Sequence, residues 1–127
     1  MTQAIATEKQ ASGALAPGST VGILGGGQLG RMMSEAASRL GLRTHIYAPS
    51  EPSVAAEVSG AFTLADYQDA DALAAFAKAC DVVTYEFENV AVGPLDAIAD
   101  KVALYPAPRA LEVAQSRIDE KRFAEAC

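Results

Sequence analysis

The stretch Thr20 to Leu40, TVGILGGGQLGRMMSEAASRL, constrains this chain more than any other. An apolar run breaks into glycines and then resumes with helical spacing, the pattern of a strand, a tight loop and a helix. Gly25, Gly27 and Gly30 fit G-x-G-x-x-G, a spacing that lets the backbone turn sharply and approach a bound group with no Cβ in the way. The N–H groups of such a loop and the positive end of the helix dipole favour an anion such as phosphate. Val21, Ile23 and Leu24 read as a buried strand. Leu29, Met32, Met33, Ala36 and Leu40 recur at i, i+3, i+4, i+7 and i+11 as the apolar face of the helix, and Gly41 is its left-handed stop.

The remaining chain alternates strands with helical segments. Arg43 to Ala48 (RTHIYA), stopped by Pro49, is a second strand, and Ala61 to Leu64 a third. Pro52 to Ser59 is expected to form a short helix between them. Asp69 to Cys80 is an alanine-rich helix with Leu73, Phe76, Ala77 and Cys80 on one face. Asp81 to Glu86 (DVVTYE) is a fourth strand ending in a carboxylate, Pro94 to Asp100 a helix with proline near its start, and Val102 to Tyr105 a fifth strand closed by Pro106. Pro108 to Gln115 is a short helix. Ser116 and Asp119 then have capping-box spacing for a last helix, which carries no stop signal before Cys127 and so suggests a fragment of a longer protein. Residues 1–19, rich in small and polar residues and ending in the Pro17-Gly18 turn signal, are expected to be a disordered extension ahead of one domain over 20–127.

Parallel strands linked by helices of this length call for right-handed crossovers, hence an α/β fold, a Rossmann-like doubly wound parallel sheet of about five strands. In the order 3-2-1-4-5, strands one and four are neighbours where the winding reverses, and ligands bind beyond their carboxyl ends. The glycine loop after strand one and EFENV (Glu86 to Val90) after strand four should then line one crevice.

Several classes of function are excluded or disfavoured by composition. Sixteen acidic residues against 10 basic ones give a formal charge of -6, with no basic cluster to follow a nucleic-acid backbone. No stretch approaches the roughly 20 apolar residues of a membrane helix, and the start lacks the features of a signal peptide. Cys80 and Cys127 are too few for a disulfide framework or a metal site, which makes a reducing cytoplasm the default. His45 lies inside the second strand and reads as a packed strand residue.

Two readings of the crevice follow from the residues. One is a nicotinamide dinucleotide, as in a dehydrogenase; the other is a non-catalytic nucleotide-sensing module. Against the first, the second strand ends in Ala48 and Pro49 where an acid should take the ribose hydroxyls. Moreover, Glu86 and Glu88 point to one side if the fourth strand persists, placing two carboxylates near a would-be pyrophosphate. Phosphate over the glycines, with hydroxyls or an amine at the carboxylates, matches better.

GGGQLGRM at Gly25 to Met32, TYEFENV at Thr84 to Val90 and QSRIDEKRF at Gln115 to Phe123 together resemble the N-terminal, pre-ATP-grasp domain of the 5-(carboxyamino)imidazole ribonucleotide synthase family. Gln28-Leu29 and the Glu86 to Val90 motif favour that family over the similar formate-dependent glycinamide ribonucleotide transformylases. The resemblance implies an ATP-grasp ligase of purine biosynthesis that uses ATP and Mg2+ to activate bicarbonate and carboxylates 5-aminoimidazole ribonucleotide. It implies a cytoplasmic homodimer, with most ATP and metal residues in domains beyond this one. Carried over by position, Gly27, Gln28, Leu29 and Glu86 would bind the ribonucleotide, Glu86 by accepting from ribose hydroxyls or the amine, and Arg117 would reach the nucleotide of ATP. No catalytic or metal residue is expected within these residues.

Overall fold

The computed structural model describes residues 13–127. Five strands, β1 (Thr20–Leu24), β2 (Arg43–Ala48), β3 (Ala61–Leu64), β4 (Val82–Tyr85) and β5 (Ala103–Leu104), form one parallel sheet in the order β3-β2-β1-β4-β5. The helices are α1 (Gln28–Arg39), α2 (Ala70–Ala79), α3 (Val92–Ala99), α4 (Pro108–Ala114) and α5 (Arg117–Ala126), with a 3-10 turn at Ala56–Val58. This is the doubly wound α/β order expected from the alternation of strands and helices, with β1 and β4 adjacent.

Alternation along the central strands divides the core in two, because successive side chains of a strand point to opposite faces. Leu24 and Tyr47, which are register partners, join Leu73, Phe76 and Ala77 of α2, Leu95 and Ile98 of α3, and Leu111 of α4 on one face. Ile23 and Ile46, also partners, meet Ala55 and half-buried Met33 on the other. The first cluster is much the larger and holds the fully buried ring of Tyr47, whose hydroxyl donates to Asp66 O at 2.5 Å. Burial, with Asp69 and Asp66 nearby, pushes that phenol up to about 12.

The second face is thin because α1 lies on it with small residues. Gly30 and Ser34 are the buried residues of α1, whereas Leu29, Met32 and Leu40 are exposed. The apolar face read from spacing is therefore not the face that packs; of that set, Met33 alone reaches the core cluster. Gly30 lets α1 pack closely here, since a Cβ on it would fall 2.9 Å from Gly25 O and 3.2 Å from Ala55 Cβ.

Local signals otherwise set most boundaries. Asp69 caps α2 by accepting from Ala72 N at 3.0 Å, and Ser116 caps α5 by accepting from Asp119 N at 3.3 Å. Gly41 ends α1 with φ +75. The helix expected over Pro52 to Ser59 shrinks to the 3-10 turn, α3 begins two residues before Pro94, and β5 keeps only Ala103 and Leu104 of its expected span. The extension expected over 1–19 falls partly outside the described residues. Within 13–19, Gly18 N donates to Gly41 O at 2.7 Å and Ser19 is buried, so the chain is tied down before β1 begins.

Candidate functional site

The loops that leave β1, β2, β3 and β4 at their carboxyl ends enclose an open crevice of about 540 Å³. Gly25, Gly26 and Gly27 form its floor, Ala48, Pro49, Ser50, Pro52 and Ser53 one wall, and Tyr67, Glu86 and Phe87 the other. Its position is the one expected at the switch between β1 and β4.

Glu86 is built into the glycine loop. Its N–H and that of Phe87 both donate to Leu24 O, at 3.0 and 3.3 Å, which ends β4 and turns the Glu86 side chain back over β1. Its Oε1 then accepts from Gly27 N at 2.9 Å. A carboxylate at the first turn of a helix is favoured by the helix dipole and makes a charge-assisted hydrogen bond. Gly25 has φ +129, and a Cβ there would fall 2.5 Å from Glu86 Cγ. The glycine therefore serves both the turn and the close approach of the carboxylate.

This arrangement corrects the phosphate reading of the loop. Gly25 N donates to Tyr47 O and Gly27 N to Glu86, so two of the three glycine N–H groups are taken by the protein. A phosphate over the glycines would meet the Glu86 carboxylate, a like charge at contact distance. Arg31, the cation of the GGGQLGRM motif, is paired instead with Glu35 at 3.2 Å and Glu57 at 3.0 Å on the surface. The dinucleotide reading fails on the same ground, since its pyrophosphate would need the helix N-terminus that Glu86 holds. What the floor offers a ligand is a carboxylate: Glu86 Oε2 has no partner among the described residues and is an acceptor for hydroxyl or amine donors.

Of the residues expected at the site, Gly27 and Glu86 line the crevice. Gln28 and Leu29 stand exposed on the first turn of α1 at its rim, and Arg117 opens α5, exposed and away from the lining. Glu88 does not join Glu86: β4 stops at Tyr85, the chain bends, and Phe87 lines the crevice while Glu88 faces solvent. His45 is half-buried in β2, with Nε2 2.7 Å from Thr63 Oγ1 and its ring edge-on to Phe76, outside the crevice.

Two residues of the crevice, Ser53 and Tyr67, have no signature in the sequence. Ser53, 7% exposed, donates to Gly26 O at 2.9 Å and accepts from Ala56 N at 3.1 Å, tying the loop after β2 to the floor. Tyr67 stacks between Tyr47 and Phe87, with ring centroids at 5.8 and 5.6 Å. Burial first, then the Glu86 and Tyr47 charges, raises its phenol to about 12, so it stays protonated at neutral pH. Phe87, within the EFENV stretch expected to line the crevice, does line it.

The family model for the ribonucleotide synthetase preATP-grasp domain matches residues 18–115. This chain belongs to that family. The resemblance drawn from the three motifs is thus borne out. The N5-carboxyaminoimidazole ribonucleotide synthase of Brucella melitensis is 50% identical over 109 residues, which are 86% of this chain and 30% of that protein. Among solved structures, the Staphylococcus aureus N5-carboxyaminoimidazole synthetase complexed with ADP is similar at 37% identity and a TM-score of 0.84, over 88% of this chain and 30% of the other. The Aspergillus clavatus N5-carboxyaminoimidazole synthase, in complex with ADP and 5-aminoimidazole ribonucleotide, is similar at 32% identity and a TM-score of 0.78, over 87% and 30%. This preATP-grasp domain therefore spans just under a third of the length of these relatives.

Proposed function

We propose that this preATP-grasp domain forms the ribonucleotide-facing side of an ATP-dependent ligase that carboxylates 5-aminoimidazole ribonucleotide with bicarbonate in purine biosynthesis. The observation that carries this is the Glu86 carboxylate, which lines the crevice with one oxygen held by Gly27 N–H and the other without a partner among the described residues. A ribose hydroxyl or an aromatic amine donates to such an oxygen, and a phosphate does not. The ribonucleotide in the Aspergillus relative is a ligand of that chemistry.

In this reading Glu86 orients the ribonucleotide through its hydroxyls or amine. Gly27 supplies the backbone that fixes Glu86, and Gln28 and Leu29 contact the ligand from the rim. Arg117, at the start of α5, reaches toward ATP. The relatives are ADP- and ATP-binding proteins, and ATP with Mg2+ would supply the activation of bicarbonate. Among the described residues no three His, Cys, Asp or Glu side chains are grouped as a ready metal cage. The metal and most of the ATP site belong, in this proposal, to a further part of the ligase. The reading also carries a homodimer in the cytoplasm. The thiols Cys80 and Cys127 are free, which fits a reducing compartment, and no described helix is long and apolar enough to cross a membrane.

Calorimetry of the 127-residue chain against 5-aminoimidazole ribonucleotide, NAD and ATP in parallel tests the proposal. Heat with the ribonucleotide and none with NAD is expected, and the chain alone should release no phosphate from ATP. Binding of NAD with no response to the ribonucleotide would overturn the reading.

A further inference from the structure

The loop from Glu86 to Ala91, between β4 and α3, carries two crevice residues. Leu24 O holds its start. Its far end is held by a side chain from the other end of the domain: Gln115 Nε2 donates to Glu88 O at 2.9 Å and to Val90 O at 2.8 Å. Those contacts join residues 27 and 25 positions apart. Gln115 is itself fixed, because its backbone N–H donates to Leu111 O at 3.0 Å and Leu111 is buried in the same cluster as Val90. One carboxamide therefore spends both hydrogens on two carbonyls of the crevice loop, and no other described side chain bonds to that stretch.

We propose that Gln115 is a positioning residue for the crevice, acting through the loop that presents Glu86 and Phe87. The assignment rests on the ribonucleotide reading above. Only a donor with two hydrogens at this length satisfies both carbonyls: a carboxylate would set like partial charges against them, and a thioether offers no hydrogen. Gln115 also precedes Ser116, the cap of α5, and Arg117.

The test compares Gln115→Glu and Gln115→Met in a complete synthase carrying this domain, by steady-state kinetics and amide hydrogen exchange. Methionine keeps the length, so it remains informative if the glutamate variant fails to fold. The Michaelis constant for the ribonucleotide should rise about tenfold, the loss of roughly one net hydrogen bond transmitted to the ligand, with that for ATP changing less than about twofold. Exchange at Asn89 to Ala91 should quicken. Faster exchange with an unchanged ribonucleotide constant would reduce Gln115 to a structural prop and overturn the proposal, as would equal rises for both substrates. Were the unsubstituted synthase indifferent to the ribonucleotide, the functional reading itself would fail, a result the variants cannot mimic.

Discussion

Glu86 Oε1 lies 2.9 Å from Gly27 N, a contact between residues 59 positions apart that puts a protein carboxylate where a dinucleotide fold would receive phosphate. The glycine fingerprint is retained for its turn and its close packing, while its anion site is filled from within. A loop of this kind selects donors, and the first prediction follows from that change of sign.

Glu86→Gln keeps an acceptor for Gly27 N–H but removes the charge, so the thermal midpoint should barely move. Affinity for 5-aminoimidazole ribonucleotide should fall about tenfold to a hundredfold, for the loss of roughly 1.5 to 3 kcal/mol in a charge-assisted hydrogen bond. Glu86→Ala removes the acceptor as well and should lower the midpoint measurably. Calorimetry beside thermal melts separates the two effects; a large midpoint loss in the glutamine variant would make Glu86 structural.

Gly25→Ala meets two obstacles at once, a backbone at φ +129 and a Cβ 2.5 Å from Glu86 Cγ. Strain of this type costs about 1 to 3 kcal/mol. The variant should melt lower and lose ribonucleotide binding because Glu86 is pushed off Gly27. A stable Gly25→Ala protein with unchanged ligand affinity would show that the contact is dispensable.

Ser34 sits under α1 with 1% exposure, and its hydroxyl has no hydrogen-bond partner. An unmet buried hydroxyl costs about 1 to 3 kcal/mol, and alanine is the better helix former. Ser34→Ala should therefore raise stability by about 1 kcal/mol, or roughly 4 °C in the thermal midpoint of a domain this size. A lower midpoint would show that the hydroxyl stabilises the fold.

His45 is the sole histidine. Burial holds it below its ordinary value of 6.5, so the folded chain binds the proton less readily than the unfolded one. The unfolded state then carries the extra proton just below 6.5, and stability must decline as pH falls through that region. Midpoints measured from pH 7.5 to 5.5 should drop in the natural protein and flatten in His45→Gln, whose amide can still bond Thr63. An identical slope in both proteins would move the effect to other groups.

The spans of β2 and β3 and the cap of α5 were legible residue by residue. A β-branched run closed by proline, or a serine three residues before an acidic residue, acts on its own neighbours and needs nothing distant. Sheet order was legible one level up, because parallel strands joined by helices admit few windings. The orientation of α1 was not. Its spacing pointed Leu29, Met32 and Leu40 inward, but the loop before it and the close packing at Gly30 turned Gly30 and Ser34 to the core instead. Glu86 could be placed in the crevice from sequence, yet its bond to Gly27 could not, nor could the stacking of Tyr67 or the reach of Gln115 to Glu88 and Val90. The sequence alone determined the order of strands and helices, the cap of α5, the winding and the family, all of which rest on short-range periodicity and motif order. Only the tertiary structure decided that the glycine loop holds a carboxylate, because a hydrogen bond spanning 59 residues depends on how two loops meet in space and leaves no period in the chain.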